Sequence, residues 1–496
     1  MSSRSPSSLA ATDLDIWAPH AGRVDVEVEG GGELKHGTRY AIRLDGDDPL
    51  PDPRSPWQPD GVHAYSAWVD HSLFEWHDAG WAAGTLADQV FYELHTGTFS
   101  ASADFDGVIG RLDHLLELGI TAIELMPVAE FAGARGWGYE GVQLFAPHHA
   151  YGGPDGLKRL VDACHARGLA VVLDVVYNHL GPEGNYLPRF GPYLTDSHQT
   201  AWGSAFNFDG PNSAEVRRFV VDNAVMWLRD YHLDGLRLDA VHAIFDDSPI
   251  HILAELAAAV RQLERPRWLI AECNYLEPKL VGEYGLDAQW DDAFHHALHA
   301  YVTGERQGYY APFGSLPDVE RALRRGSGRL VDFAQNHDQV GNRAQGDRLS
   351  ATLSPGLLRC VAAVVLAGPG VPLLFQGEEW GASTPFQFFC DHSDPQIRSA
   401  TTAGRIRELA TFGSAAAEVP DPEDVATWER SRLDWSELER SEHARLFEWY
   451  RELVKLRPLL KETPAITVDG GRLVIARPGL TVVCDFANGE VQLQKT

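Results

Sequence analysis

The chain has 496 residues, a formal net charge of −28, and 44% hydrophobic and 10% aromatic residues. That length exceeds one ordinary core and points to a large catalytic domain of roughly 250–400 residues with smaller appendages. The acidic balance argues against nucleic acid, whose phosphates need clustered Lys and Arg, and against anionic membrane surfaces; it leaves a neutral ligand such as a sugar unopposed.

The first stretch, MSSRSPSSLAATD, is polar and lacks the apolar core of a signal peptide. No run approaches the roughly 20 apolar residues that span a bilayer, so the cytosol is the expected address. LDIWAP, VDVEVEG and TRYAIRLDG then alternate apolar and polar residues, as strands do, and PLPDPRSPWQPDG reads as a rigid connection. A small N-terminal β-sandwich is expected over residues 1–82.

From residue 83 to 458 short apolar runs alternate with amphipathic stretches. The expected strands are VFYELH (90–95), AIELMP (122–127), AVVLDVV (170–176), GLRLDAV (235–241), WLIAE (268–272), a weak AQW (288–290), LVDFAQ (330–335) and VPLLFQ (371–376). Eight such strands with helices between them predict an α/β fold of the (β/α)₈ TIM-barrel type. SEHARLFEWYRELVKLRP reads as a final helix stopped by Pro, and residues 459–496 return to alternation as a short C-terminal β domain. The five cysteines have neither metal-ligand nor redox spacing. No metal and no cofactor is expected: the segment after the third strand, 181–206, holds only Glu183 and Asp196 as acids, unlike a calcium loop.

In a barrel enzyme the chemistry sits at the carboxyl ends of the strands. Asp174, Asn178 and His179 end or follow the third run, Arg237 and Asp239 the fourth, Glu272 the fifth, and His337 and Asp338 the seventh. One such residue alone is more often a cap or a turn residue. Charged groups at the ends of four strands are harder to explain structurally, because desolvating them is costly. Glycoside hydrolysis needs this kind of set: a carboxylate to attack the anomeric carbon and a carboxylic acid to protonate the leaving oxygen. Trp137, Tyr139, Tyr151, Trp202, Trp380, Phe386 and Phe388 fall in the intervening loops, where flat rings suit glucose faces or ordinary packing.

DVVYNH (174–179), GLRLDAVH (235–242), the IAEC strand end and FAQNHD (333–338) resemble, in order, the four conserved regions of the α-amylase family of glycoside hydrolases. The resemblance implies a retaining double displacement, with Asp239 as nucleophile, Glu272 as acid/base and Asp338 as the third carboxylate. It implies that Tyr139, His179, Arg237 and His337 surround the reacting glucose, with Asp174 and Asn178 in support. Within that family GWGYEGVQLFAPHHAYGG, NHDQVGNRAQGDRL and above all GEEWGASTPFQFFCDH are similar to the malto-oligosyltrehalose trehalohydrolases. That resemblance implies an oligosaccharide substrate, maltooligosyl trehalose, cut beside its terminal trehalose. His242, three residues after Asp239, is placed to meet the trehalose half, and Glu378, Glu379, Phe386 and Asp391 are candidate contacts to the sugar or stabilisers of their loop. The alternatives are an α-1,4-glucan branching enzyme or another amylase-type hydrolase and, in another class, an inactive barrel that binds glycans or proteins.

Overall fold

The structure, a computed structural model, describes residues 14–410, 415 and 418–495. The polar stretch read as lacking a signal peptide ends at Asp13 and lies outside the described residues. Three strands come first: β1 (Val24–Val28), β2 (Arg39–Leu44) and β3 (Ser66–Ala67), paired antiparallel in that order. The expected sandwich is therefore, among the described residues, a single sheet. LDIWAP is not one of its strands; Trp17 packs edge-on against Tyr193 at 5.0 Å, and the alternation there reflects that docking. The Pro-rich run is not a connection either. It folds back between β2 and β3, where Asp52 accepts from Tyr40 Oη at 2.7 Å and its N–H donates to Ser66 Oγ at 2.9 Å. Arg54 ties the run to helix Ser213–Asp230 through Asp222 at 2.9 Å.

Eight parallel strands then close a barrel in the order expected from the apolar runs. They are β4 (Phe91–Leu94), β5 (Ala122–Leu125), β8 (Ala170–Val175), β11 (Gly235–Leu238), β12 (Trp268–Ala271), β13 (Ala288–Trp290), β14 (Leu330–Phe333) and β15 (Val371–Phe375). Two antiparallel ribbons interrupt the series, β6 (Ala129–Glu130) with β7 (Gln143–Pro147) and β9 (Leu194–Thr200) with β10 (Gly203–Phe206). Strands covered on both faces read as continuous apolar runs, which is why these runs were recognisable. Alternate residues point inward. Phe91, Ala122, Val172, Trp268, Ile270, Trp290, Val331, Phe333 and Leu373 fill the interior as one packed cluster. The other parity, such as Tyr92, Ile123, Leu173, Leu236 and Leu269, packs in the main core under the helices.

Extending the inward parity toward the carboxyl ends gives Glu93 on β4, Glu124 on β5, Asp174 on β8, Arg237 on β11 and Asp239 just after it, and Glu272 after β12. Register reinforces this: Asp174 is opposite Arg237, and Glu93 opposite Glu124. The barrel thus passes from an apolar plug to an ionisable rim within a few residues. After helix Ser441–Val454 the chain ends in an antiparallel meander of β16 (Ala465–Asp469), β17 (Arg472–Arg477), β18 (Leu480–Asp485) and β19 (Glu490–Lys495). It packs on helix Pro355–Ala367, where Cys360 Sγ lies 3.7 Å from the Glu490 carbonyl. All five cysteines are buried free thiols. Among the described residues no helix is long and apolar enough to cross a membrane.

Candidate active site

Arg237 organises the rim. It is fully buried, with its guanidinium carbon 4.2 Å from the centre of the Trp290 ring. Its Nη1 donates to Asp174 Oδ2 at 2.8 Å and to Asp239 Oδ1 at 2.7 Å, while Nη2 lies 3.7 Å from Glu272 Oε2. Asn178 Nδ2 donates to the other Asp239 oxygen at 2.8 Å and to the Asp239 carbonyl at 3.0 Å. The amide oxygen of Asn178 faces His179 Nδ1, and the His179 ring stacks on Trp202 at 5.2 Å. Both Asp239 oxygens are thus held by donors, which fixes the direction in which the carboxylate points.

The next residue, Ala240, has φ 40° and ψ 51°, a left-handed conformation that costs a residue with a Cβ about 1–2 kcal/mol. This turn aims the Ala240 N–H at Glu272 Oε2, 2.7 Å away. Burial, reinforced by the nearby Asp239, Asp292 and Asp338 carboxyls and only partly opposed by Arg237, pushes the Glu272 carboxyl up to about 8. Glu272 therefore carries a proton at neutral pH.

Asp338 stands across the bowl with its side chain 39% exposed, accessible to a ligand. It accepts from Asn342 Nδ2 at 3.1 Å, and Arg405 steadies Asn342 at 3.0 Å. His337 is buried beside it, with Nε2 3.5 Å from Asp338 Oδ1. The Tyr139 hydroxyl lies 2.7 Å from His337 Nε2 and 2.5 Å from Asp174 Oδ2, and the two rings stack at 5.0 Å. Gly138 makes this possible: at φ 99° any Cβ would sit 2.1 Å from the Pro127 carbonyl oxygen. His242 is half-buried near Asp239, and among the described residues nothing hydrogen-bonds its Nδ1.

The structure thus gathers Tyr139, Asp174, Asn178, His179, Arg237, Asp239, Glu272, His337 and Asp338 around one bowl. It does not place Glu379, Phe386 or Asp391 there as ligand contacts. Glu379 has no exposed surface; it accepts from Tyr92 Oη at 3.1 Å and pairs with His114 at 2.8 Å. Glu378 is buried likewise and accepts from Tyr450. Phe386 is fully buried and stacks behind Trp137 at 5.1 Å. Asp391 accepts from the Ala134 N–H at 2.9 Å and pairs with Arg135 at 2.5 Å, which is the loop-stabilising reading. Tyr151 and Trp380 are core residues.

Three residues at the site escaped the sequence reading, Glu93, Trp290 and Asp292; so did Glu124, which is buried next to the site and, among the described residues, makes no hydrogen bond to it. Glu93 accepts from the His337 N–H at 2.9 Å and faces its Nδ1 at 2.5 Å. Glu124 is buried beside Glu93 with no hydrogen-bond partner on either oxygen. Both are carboxyls inside apolar strands, a signal the sequence does carry. Asp292 follows the shortest and least distinct strand, which hid it. Among the described residues three donor groups are close enough to share a metal ion: Glu130, His148 and His149; Cys390, His392 and Glu423; and His198, Asp209 and Asp247. None includes a rim carboxyl, and in each a histidine already hydrogen-bonds an acid.

Comparison with known proteins agrees with this geometry. The family model described as "Alpha amylase, catalytic domain" matches residues 81–202. The chain is 49% identical to a malto-oligosyltrehalose trehalohydrolase of Arthrobacter ramosus, over 96% of this chain and 93% of that one. It is 45% identical to the protein of the same name from a Rhizobium strain, over 97% and 92%. Among solved structures, an α-amylase candidate from Salmonella typhimurium superposes with a TM-score of 0.86 at 37% identity, covering 94% of this chain and 90% of that one.

Proposed function

The chain belongs to the malto-oligosyltrehalose trehalohydrolases of the α-amylase family and is a glycosidase, and on that premise we propose that it cuts the α-1,4 bond next to the terminal trehalose of maltooligosyl trehalose by a double displacement. Asp239 attacks the anomeric carbon of the glucose on the non-trehalose side. Glu272 gives its proton to the departing oxygen, and trehalose leaves. Glu272, now a carboxylate, takes a proton from water, whose oxygen displaces Asp239. The sugar is released as the α-anomer and Glu272 regains its proton. Asp338 holds hydroxyls of the reacting glucose, Tyr139 supports its ring, and Arg237, His179 and His337 stabilise the oxocarbenium-like transition state. His242, half-buried beside Asp239, is the residue proposed to meet the trehalose half.

The observation that carries this reading is the single Arg237 guanidinium, 2.7 Å from Asp239 and 3.7 Å from Glu272. Carboxyls that share one guanidinium face the same part of the bowl and can both reach one glycosidic bond, as the two acids of a double displacement must. The purified protein should be incubated with maltooligosyl trehalose and, separately, with amylose. Free trehalose from the first and little shortening of the second is the expected result. Attack on amylose, or new branches in it, without trehalose release would point to an amylase or a branching enzyme instead.

A further inference from the structure

The hydrogen bonds behind Asp239 do not end at Arg237. Arg237 Nη1 donates to Asp174 Oδ2 as well as to Asp239, and the Tyr139 hydroxyl meets the same Asp174 oxygen. That hydroxyl also lies 2.7 Å from His337 Nε2, and His337 Nδ1 lies 2.5 Å from Glu93 Oε1. Six side chains, three on barrel strands and three on the segments between strands, form one line, Glu93–His337–Tyr139–Asp174–Arg237–Asp239.

The protons in this line can be assigned. A phenol has one proton to give. Asp174 Oδ2 accepts from Arg237 and also from the Tyr139 hydroxyl. The Tyr139 oxygen must then accept from His337, which requires a proton on Nε2. Glu93 accepts at Oε2 from the His337 backbone N–H at 2.9 Å and at Oε1 from Nδ1, which requires a second ring proton. We propose that Glu93 is a positioning residue: it keeps His337 doubly protonated and orients the whole line toward Asp239. This assignment rests on the functional reading above. If Glu93 could not hold the second proton, neutral His337 would present a bare Nε2. Tyr139 would then donate to His337, and Asp174 would lose a donor.

The groups facing His337 agree. Burial disfavours its charge, but Asp338 and Glu93 outweigh that and push the imidazole up to about 9, with Arg237 opposing. Glu124, Asp174 and Tyr139 also face it, and His95 stands on the β4 side. Glu124 provides a contrast from the adjacent strand. It is the register partner of Glu93 and 1% exposed, but it holds nothing. Burial first, and then the Glu93 carboxylate, push it well above the usual carboxyl range, which disfavours its charged form. An amide is nearly isosteric with a neutral acid but not equivalent to a carboxylate.

Glu93→Gln and Glu124→Gln in the full chain test the assignment, assayed on maltooligosyl trehalose. Misplacing a reacting group by about 1 Å costs about 10²-fold, so Glu93→Gln should lower kcat by about that factor with KM changed less than about threefold. Glu124→Gln should stay within about threefold of wild-type kcat. Nitrogen NMR of histidine-labelled protein, with the His337 signals identified by their loss in His337→Asn, should show both ring nitrogens protonated at pH 7 in wild type and a neutral ring in Glu93→Gln. A neutral wild-type ring overturns the proposal even if Glu93→Gln fails to fold. Equal losses in both variants would overturn it too, by showing that the two glutamates serve only packing. A wild-type chain that released no trehalose would instead sink the functional reading, leaving the NMR experiment to decide this one.

Discussion

Two carboxyls beside one guanidinium are suited to the opposite tasks of the proposed mechanism because their surroundings differ by a few contacts. Asp239 accepts one donor on each oxygen, which suits an attacking carboxylate. Glu272 receives one backbone N–H and is otherwise buried among like charges, which keeps it protonated up to about pH 8. The sign of the pH effect follows. Below that pKa Glu272 holds the proton that the leaving oxygen needs; above it the proton is gone. The kcat/KM of the wild-type enzyme should therefore be sustained through neutrality and fall about tenfold per pH unit above about 8, as expected for one acid titrating in the free enzyme. A profile already falling at pH 5–6 would show that some other group delivers the proton.

At the scale of elements, the site depends on strands that end at the right level, and the opposite end of the barrel is bolted in place. His165, at the end of helix Gly153–His165, bridges Asp78 at 2.9 Å and Asp234 at 2.9 Å. The Trp81 ring stacks on His165 at 4.7 Å and its Nε1 donates to Asp234 at 2.8 Å. This joins the segment before β4 to the loop before β11. His165→Ala would take one partner from each carboxyl, while Arg265 and His232 still hold Asp78 and the Trp81 and Val171 N–H groups still reach Asp234, so it should lower unfolding stability by about 1.5–3 kcal/mol while folded protein keeps its turnover. Urea unfolding checks it; an unchanged midpoint would mean the bridge contributes nothing.

The barrel strands could be read from sequence because both of their faces are covered, and even Ala288–Trp290 lay where AQW placed it. The position of Asp239 and Glu272 at the rim was legible because they end such runs, and that of Asp338 because it follows one, within recognisable motifs. Glu379 and Phe386 sit in an equally distinctive segment, yet a motif does not say which side of a loop meets the core. Tyr92, His114 and Trp137 decide that, and all three are far away in the chain. The Pro-rich run misled for a related reason: composition marks it as stiff, but only the distant partners Ser66 and Asp222 show that it is packed.

At the scale of the whole molecule, the likeness to the trehalohydrolases runs through the N-terminal sheet, the barrel and the C-terminal meander together, while the chemistry rests on the rim alone. A chain of net charge −28 loses nothing by binding an uncharged sugar, so its acidity is compatible with a bowl already crowded with carboxyls. In the proposed mechanism Asp239 and Glu272 act in turn on a single glucose beside trehalose. Proton NMR of the first product formed from maltooligosyl trehalose is the decisive measurement. Free trehalose should appear together with the α-anomer of the shortened sugar, before mutarotation mixes the anomers. A β-anomer appearing first would contradict it.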